Sequence, residues 1–158
     1  MSSKQGGIKI IAKNKTAPRD YEILEKYEAG IVLLGPEVKA LRENPNVSFR
    51  DSFVRIQNGE AWLLNLYIPP YRHNTMSKID PTRTRKLLLH KREIQRLAGK
   101  VEQKGLTIIP LSLYFKNGKV KVEIAVARGK KKADQRRELR EKAMRRELER
   151  QFKGKLKL

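Results

Sequence analysis

Apolar and polar residues alternate along much of the first 127 positions. From Asp20 to Leu33 the odd positions Tyr21, Ile23, Tyr27, Ala29, Ile31 and Leu33 are apolar, and only Glu25 breaks the set. A period of two over that length is a half-buried strand, with Gly30 a natural place for a bend. Lys9 to Ala12 is a shorter strand candidate, and Asn14 to Arg19 is a basic loop closed by Pro18. Asn58-Gly59 and Asn117-Gly118 each lie between alternating runs, which predicts two tight hairpins. Phe53, Val54 and Ile56 precede the first turn. Trp62, Leu64, Leu66 and Ile68 follow it on one expected face, and Pro69-Pro70 ends the run. In the second hairpin a two-residue loop pairs Phe115 with Val120, Leu113 with Val122 and Leu111 with Ile124 on the buried side. The same register sets Tyr114 beside Lys121 on the outer side, and Pro110 marks an edge or a bulge.

Two segments carry the longer helical period. Gly35-Pro36 opens a short helix with Val38 and Leu41 inward, stopped by Asn44-Pro45. Asp80-Pro81 reads as the start of a second helix over Thr84 to Leu97 that ends at Gly99. Its stripe is Leu87, Ile94, Leu97, Ala98 and Val101. Leu88 and Leu89 fall roughly 100° and 200° off that stripe, so one of them packs elsewhere or is exposed. Arg83, Arg85, Lys86, Lys91, Arg92 and Arg96 surround this helix with positive charge. Five or six short antiparallel strands with about three flanking helices predict a mainly β fold, an OB-type barrel.

Charge adds a second region. Residues 127–158 hold 14 Lys and Arg against 5 Asp and Glu, within a chain of net charge +20. Leu139 and Ala143 fall on one side of a helix there, while Met144, Leu148 and Phe152 fall nearly opposite. No broad apolar stripe exists to bury, although helix propensity is high. The segment is therefore read as a tail that is frayed when free and helical along a polyanion, against the plainer reading of a solvated basic extension. The expected division is a flexible arm over 1–8, an OB-type body over 9–127 and a basic tail over 128–158. Such an excess of cations points to nucleic acid or an anionic surface.

Catalytic chemistry finds little support. The two histidines, His73 and His90, lack metal-ligand spacing, and there is no cysteine. His90 falls close to the apolar stripe, where a packed histidine is the expectation. Phosphate-loop, GxGxxG and GxSxG motifs are missing. No catalytic residue, metal or cofactor is expected. No apolar run approaches ~18 residues and the first seven residues lack a signal-peptide core, so a cytoplasmic protein away from membranes is expected.

Several stretches together resemble one family. They are Tyr27-Glu28-Ala29-Gly30-Ile31, Gly35 to Arg42, Asp51-Ser52-Phe53, Asp80 to Lys91, and Ala127-Arg128-Gly129-Lys130-Lys131. In order and spacing the chain resembles the small protein B (SmpB) family from Lys9 to Phe152. The resemblance implies a monomeric, non-enzymatic OB-type protein that binds the tRNA-like part of tmRNA. It implies delivery of alanyl-tmRNA with elongation factor Tu to ribosomes stalled without a codon in the decoding centre. The tail would enter the empty mRNA channel as a helix. Three RNA-binding positions of the family fall on Glu28, Leu88 and Lys121; Tyr114, Arg83, Arg85 and Lys86 are expected beside them. Without the family, Glu28 reads as an ordinary ion pair with a neighbouring lysine. In the tail, Gly129, Lys130, Lys131, Asp134 and Arg136 match the family's ribosome-binding run, while Gln135 and Ala133 depart from it. A structural ribosomal OB protein is the alternative with the same electrostatics.

Overall fold

The computed structural model describes residues 7–74, 78–130 and 140–151. Residues 1–6 of the expected arm over 1–8 and the tail positions Lys131, Asp134 and Arg136 lie outside them, and Ile8 belongs to the first strand and not to the arm. The described residues form seven strands: β1 Ile8–Lys13, β2 Tyr21–Ile31, β3 Phe53–Gln57, β4 Glu60–Leu64, β5 Arg85–Leu88, β6 Leu106–Lys116 and β7 Lys119–Gly129. Three helices are interleaved, α1 Ala17–Asp20, α2 Gly35–Glu43 and α3 Lys91–Val101. All strand pairs are antiparallel, in the order β1-β6-β7-β2-β5-β4-β3. The sheet curls so that β3 comes back against β6, while β1 and β3 remain unbonded to each other. This is the OB-type arrangement expected, with one strand more and without hydrogen-bonded closure.

Both hairpins form where the Asn-Gly pairs stand. Asn58 and Gly59 have φ of 53° and 72°, and Asn117 and Gly118 have 52° and 77°. Two successive left-handed residues give the turn whose twist matches paired strands. Phe115 pairs with Val120, Leu113 with Val122 and Tyr114 with Lys121, as expected. Leu111 does not pair with Ile124. The register shifts between Pro110 and Ser112, and Pro110 takes the place opposite Ile124. Proline has no N–H to give the ladder, so a bulge here costs little. Asn14 caps that bulge: its N–H donates to Leu111 O at 2.7 Å and its side-chain amide to Pro110 O at 2.9 Å.

Two expectations are corrected. In β4 it is Ala61 and Leu63 that are buried, with Trp62 and Leu64 half-buried. Asn65 then adopts φ 61° and shifts the side-chain parity, so Leu66 and Ile68 also turn inward. The helix expected over Thr84–Leu97 is in fact two elements. Arg85 to Leu88 forms β5 between β2 and β4, and α3 starts only at Lys91 and runs through Gly99 to Val101. Asp80 accepts from the Thr82 N–H and hydroxyl at 3.0 and 3.1 Å, which builds a turn and not a helix start. His90 is exposed just before α3 rather than packed; its N–H donates to Glu93 Oε1 at 3.0 Å.

The main core lies inside the curled sheet, built from Leu63, Leu66, Ile68, Leu87, Ile108, Leu113, Val122 and Ile124, with Leu97 of α3. Each such side chain contributes about 1.5–3 kcal/mol by leaving water. α2 buries Ala40, Leu41 and, unexpectedly, Glu37, while Val38 is half-buried. Residues 140–151 are helical with every side chain exposed, Met144 at 65% and Leu148 at 63%.

Candidate RNA-binding surface

Strand β5 decides where two pairs of side chains go. Arg85 and Leu87 point into the protein, and Lys86 and Leu88 point out. Leu88 is 54% exposed, which fulfils the expectation for one of the two leucines through strand alternation and not helical phase. Its side chain lies over Gly30 of β2. A Cβ at Gly30 would stand 3.2 Å from Leu88 Cβ, so only glycine leaves Leu88 this position without a shift.

The ladder places further residues on the same face. Tyr114 pairs with Lys121, Gly30 with Lys121 and Gly30 with Leu88. Tyr114, Lys121, Gly30 and Leu88 thus form one row across β6, β7, β2 and β5. Glu28 precedes Gly30 by two residues, on the same face of β2. Glu28, Leu88 and Lys121, three residues far apart in the chain, are brought together.

Glu28 is held by two donors. The Tyr114 hydroxyl donates to Oε2 at 2.6 Å, and Lys116 Nζ donates to Oε1 at 3.2 Å and Oε2 at 3.3 Å. The Tyr114 hydroxyl, and then Lys116, hold the Glu28 carboxyl below the usual carboxylate range against a smaller opposing effect of burial. Burial, and then the adjacent carboxylate, push the Tyr114 hydroxyl up. Glu28 is therefore an anion at neutral pH with acceptor capacity to spare. Tyr114 was expected on an exposed strand face. It is 6% exposed and its hydroxyl is committed to Glu28, so it props the carboxylate and offers no open ring. Lys121 is half-buried between its strand neighbours.

The other expected cations are placed differently. Arg85 is fully buried, so it has no surface to offer RNA. Its Nε donates to Glu37 Oε2 at 2.8 Å, Nη1 to Leu66 O at 2.6 Å and Nη2 to Pro81 O at 3.0 Å. Arg83 Nε donates to both Glu37 oxygens at 3.2 Å, and its Nη2 reaches Glu37 and Val32 O. Burial alone would raise the Glu37 carboxyl, but Arg83, the Leu34 N–H and Arg85 outweigh it and hold the group low. Lys86 is on the surface, paired with Glu60 at 3.1 Å. Sequence reasoning missed Lys116 and the burial of Glu37, and it read Gly30 as a bend without its contact to Leu88. Only Glu37 left a readable signal, as an acid at the third position after the helix cap, where its Oε1 accepts from the Leu34 N–H at 2.9 Å.

At the far end of β7, Gly129 pairs with Tyr21, and the Lys130 N–H donates to Asp20 O at 3.0 Å. Lys130 Nζ donates to Pro18 O at 3.1 Å, so the start of the tail is anchored on α1. Among the described residues there is no cluster of His, Asp and Glu able to hold a metal, and no helix long and apolar enough to cross a membrane.

Comparison with known proteins gives a consistent result. The family model described as SmpB protein matches residues 11–154. An SsrA-binding protein of Aquifex aeolicus (strain VF5) is 70% identical over 155 residues, covering 98% of this chain and 99% of that one. An SsrA-binding protein of Sulfurihydrogenibium sp. (strain YO3AOP1) is 61% identical over 150 residues, covering 95% and 98%. A solved chain described under "tmRNA-SmpB: a journey to the center of the bacterial ribosome" superposes with a TM-score of 0.65 at 56% identity, covering 77% of this chain and 85% of that one.

Proposed function

The chain belongs to the SmpB family, and from that premise we propose that it is an SsrA-binding protein: it binds tmRNA and acts in trans-translation on the ribosome. The observation that carries the reading is the row on the outer sheet face, where Lys121 and Leu88 flank Gly30 beside the Glu28 carboxylate. This surface combines a cation for phosphate, an exposed aliphatic side chain and an anionic acceptor for base amino or 2′-hydroxyl groups. Those three chemistries suit a folded RNA read by shape and backbone, and the protein works by binding, without catalysing a reaction. The tRNA-like part of tmRNA is the segment it would hold, as a monomer in the cytoplasm. Alanyl-tmRNA and elongation factor Tu would arrive with it.

The tail has a separate task. Its start at Gly129 and Lys130 is fixed to the body, and the exposed helix of 140–151 has no core of its own to bury. A cationic helix of this kind would follow rRNA phosphate in the mRNA channel near the decoding centre. Deleting residues 132–158 should leave tmRNA affinity nearly intact and abolish tagging of stalled products. Equal loss of both activities would refute the division. The reading as a whole is tested by recovering the RNA bound to the chain in cells: one dominant tmRNA species supports it, and ribosomal subunits without tmRNA contradict it.

A further inference from the structure

The outer row does not end at β6. Ile10 of β1 pairs with Tyr114, and Ile8 pairs with Lys116. The row therefore runs over five strands, Ile10, Tyr114, Lys121, Gly30 and Leu88, in one register. Its two ends are alike. Leu88 is 54% exposed at one end, and Ile10 and Ile8 are 47% and 54% exposed at the other. Among the described residues β1 is an edge strand of the sheet. An exposed isoleucine pair on an edge is a liability for a free protein, which usually places charges there. β1 does carry exposed lysines, Lys9 and Lys13, which guard the edge against another strand, and the next strand inward places Lys116 opposite Ile8.

We propose that Ile8 and Ile10 are a second aliphatic contact for the same RNA, so that the binding surface spans the sheet from β5 to the β1 edge. The inference rests on the functional reading above. Continuity of register is the argument for RNA over a protein strand: a ligand lying across Leu88 and Lys121 is aimed by the row at Ile10. Four interstrand steps of ~4.8 Å make the row about 19 Å long, measured along the sheet. That is too long for one base and suits two neighbouring segments of a folded RNA, one at each end. The aliphatic ends would pack on ribose or base faces, and the lysines between them would meet phosphate. The two isoleucines supply no charge, so they should set affinity without setting its salt dependence.

The test is a binding titration with the transcribed tRNA-like part of tmRNA, using the full chain and a double variant, Ile8→Thr with Ile10→Thr. Threonine keeps the branched Cβ that suits a strand. The double variant should lose affinity by roughly ten-fold, from the methyl contacts removed. The slope of affinity against salt should stay unchanged, and so should the melting temperature. Lys121→Ala, in contrast, should make that slope shallower. A double variant that binds as tightly as the unaltered chain, while Leu88→Thr weakens binding, would overturn the proposal and leave the β1 edge to a protein strand. An unaltered chain that failed to bind this RNA would overturn the functional reading first, and this inference with it.

Discussion

Two carboxylates in this protein are held by similar partners and serve different ends. Glu37 sits at the start of α2, 4% exposed, between the guanidinium groups of Arg83 and Arg85. Glu28 sits on the outer face of β2 with its side chain 40% exposed, between a tyrosine hydroxyl and a lysine. Both are held ionised. The inner cluster exhausts its hydrogen bonds on the protein: Arg85 also satisfies two carbonyls, and among the described residues no buried side-chain polar atom lacks a partner. The outer cluster keeps acceptor capacity facing water. A cation on a basic protein is therefore not by that fact an RNA ligand. Arg85 is spent on the fold, tying β5 to α2 and to the loop before it.

The comparison can be broken most severely from the inside. Glu37→Ala leaves Arg85 as a buried charge without its counterion, and breaking such a pair costs about 3–5 kcal/mol. Urea denaturation should show a loss of that size; a loss below about 1 kcal/mol would place Glu37 among ordinary surface pairs. Acid separates the same cluster more finely. The folded Glu37 group titrates below its unfolded value of about 4.3. Its contribution is therefore complete above that value and disappears as pH falls through the folded one. The stability difference between the unaltered chain and Glu37→Gln should be largest near neutrality and shrink in that acid range. A difference independent of pH would contradict the ion pair.

The outer cluster should respond less. Tyr114→Phe removes one hydroxyl from a partly solvated carboxylate, which should cost about 1.5 kcal/mol, the low end for a bond to a charged group. It should also let the Glu28 carboxyl titrate higher, measurable by NMR. RNA affinity should fall although Tyr114 is covered, because the acceptor it orients is loosened. Unchanged affinity together with an unchanged Glu28 titration would show that Tyr114 does not prop that residue.

Much of the architecture was legible because its signals are local. The Asn-Gly pairs at 58–59 and 117–118 set both hairpins, and the long alternation of Tyr21 to Ile31 gave β2. β5 was not legible, for a physical reason. Period-two reading assumes that charged residues face water, and Arg85 faces the core through a partner 48 positions away, Glu37. With Arg85 counted as outward, Leu87-Leu88-Leu89 looked helical. β4 failed through one residue, Asn65, whose left-handed backbone changes the parity of everything after it. The three residues carried over by resemblance are brought together by pairing between β2, β5 and β7. The sequence alone carried two parts of that, Lys121 on the outer face beside Tyr114 and the escape of Leu88 or its neighbour from the core, but not their meeting with Glu28. Tyr114 was assigned the correct face, but its burial could not be read from a two-strand register.

The central division, inward side chains of β5 for the fold and outward ones for RNA, is tested most directly by Leu87→Ala and Leu88→Ala measured side by side. Affinity for the tRNA-like part of tmRNA and melting temperature are read on both. Leu87 is 1% exposed, and its truncation should cost about 2–5 kcal/mol of stability. Leu88→Ala should leave the melting temperature almost unmoved and weaken RNA binding clearly. If Leu88→Ala destabilised the protein as much as Leu87→Ala, or left RNA affinity untouched, the outer face of this sheet would not be the binding surface.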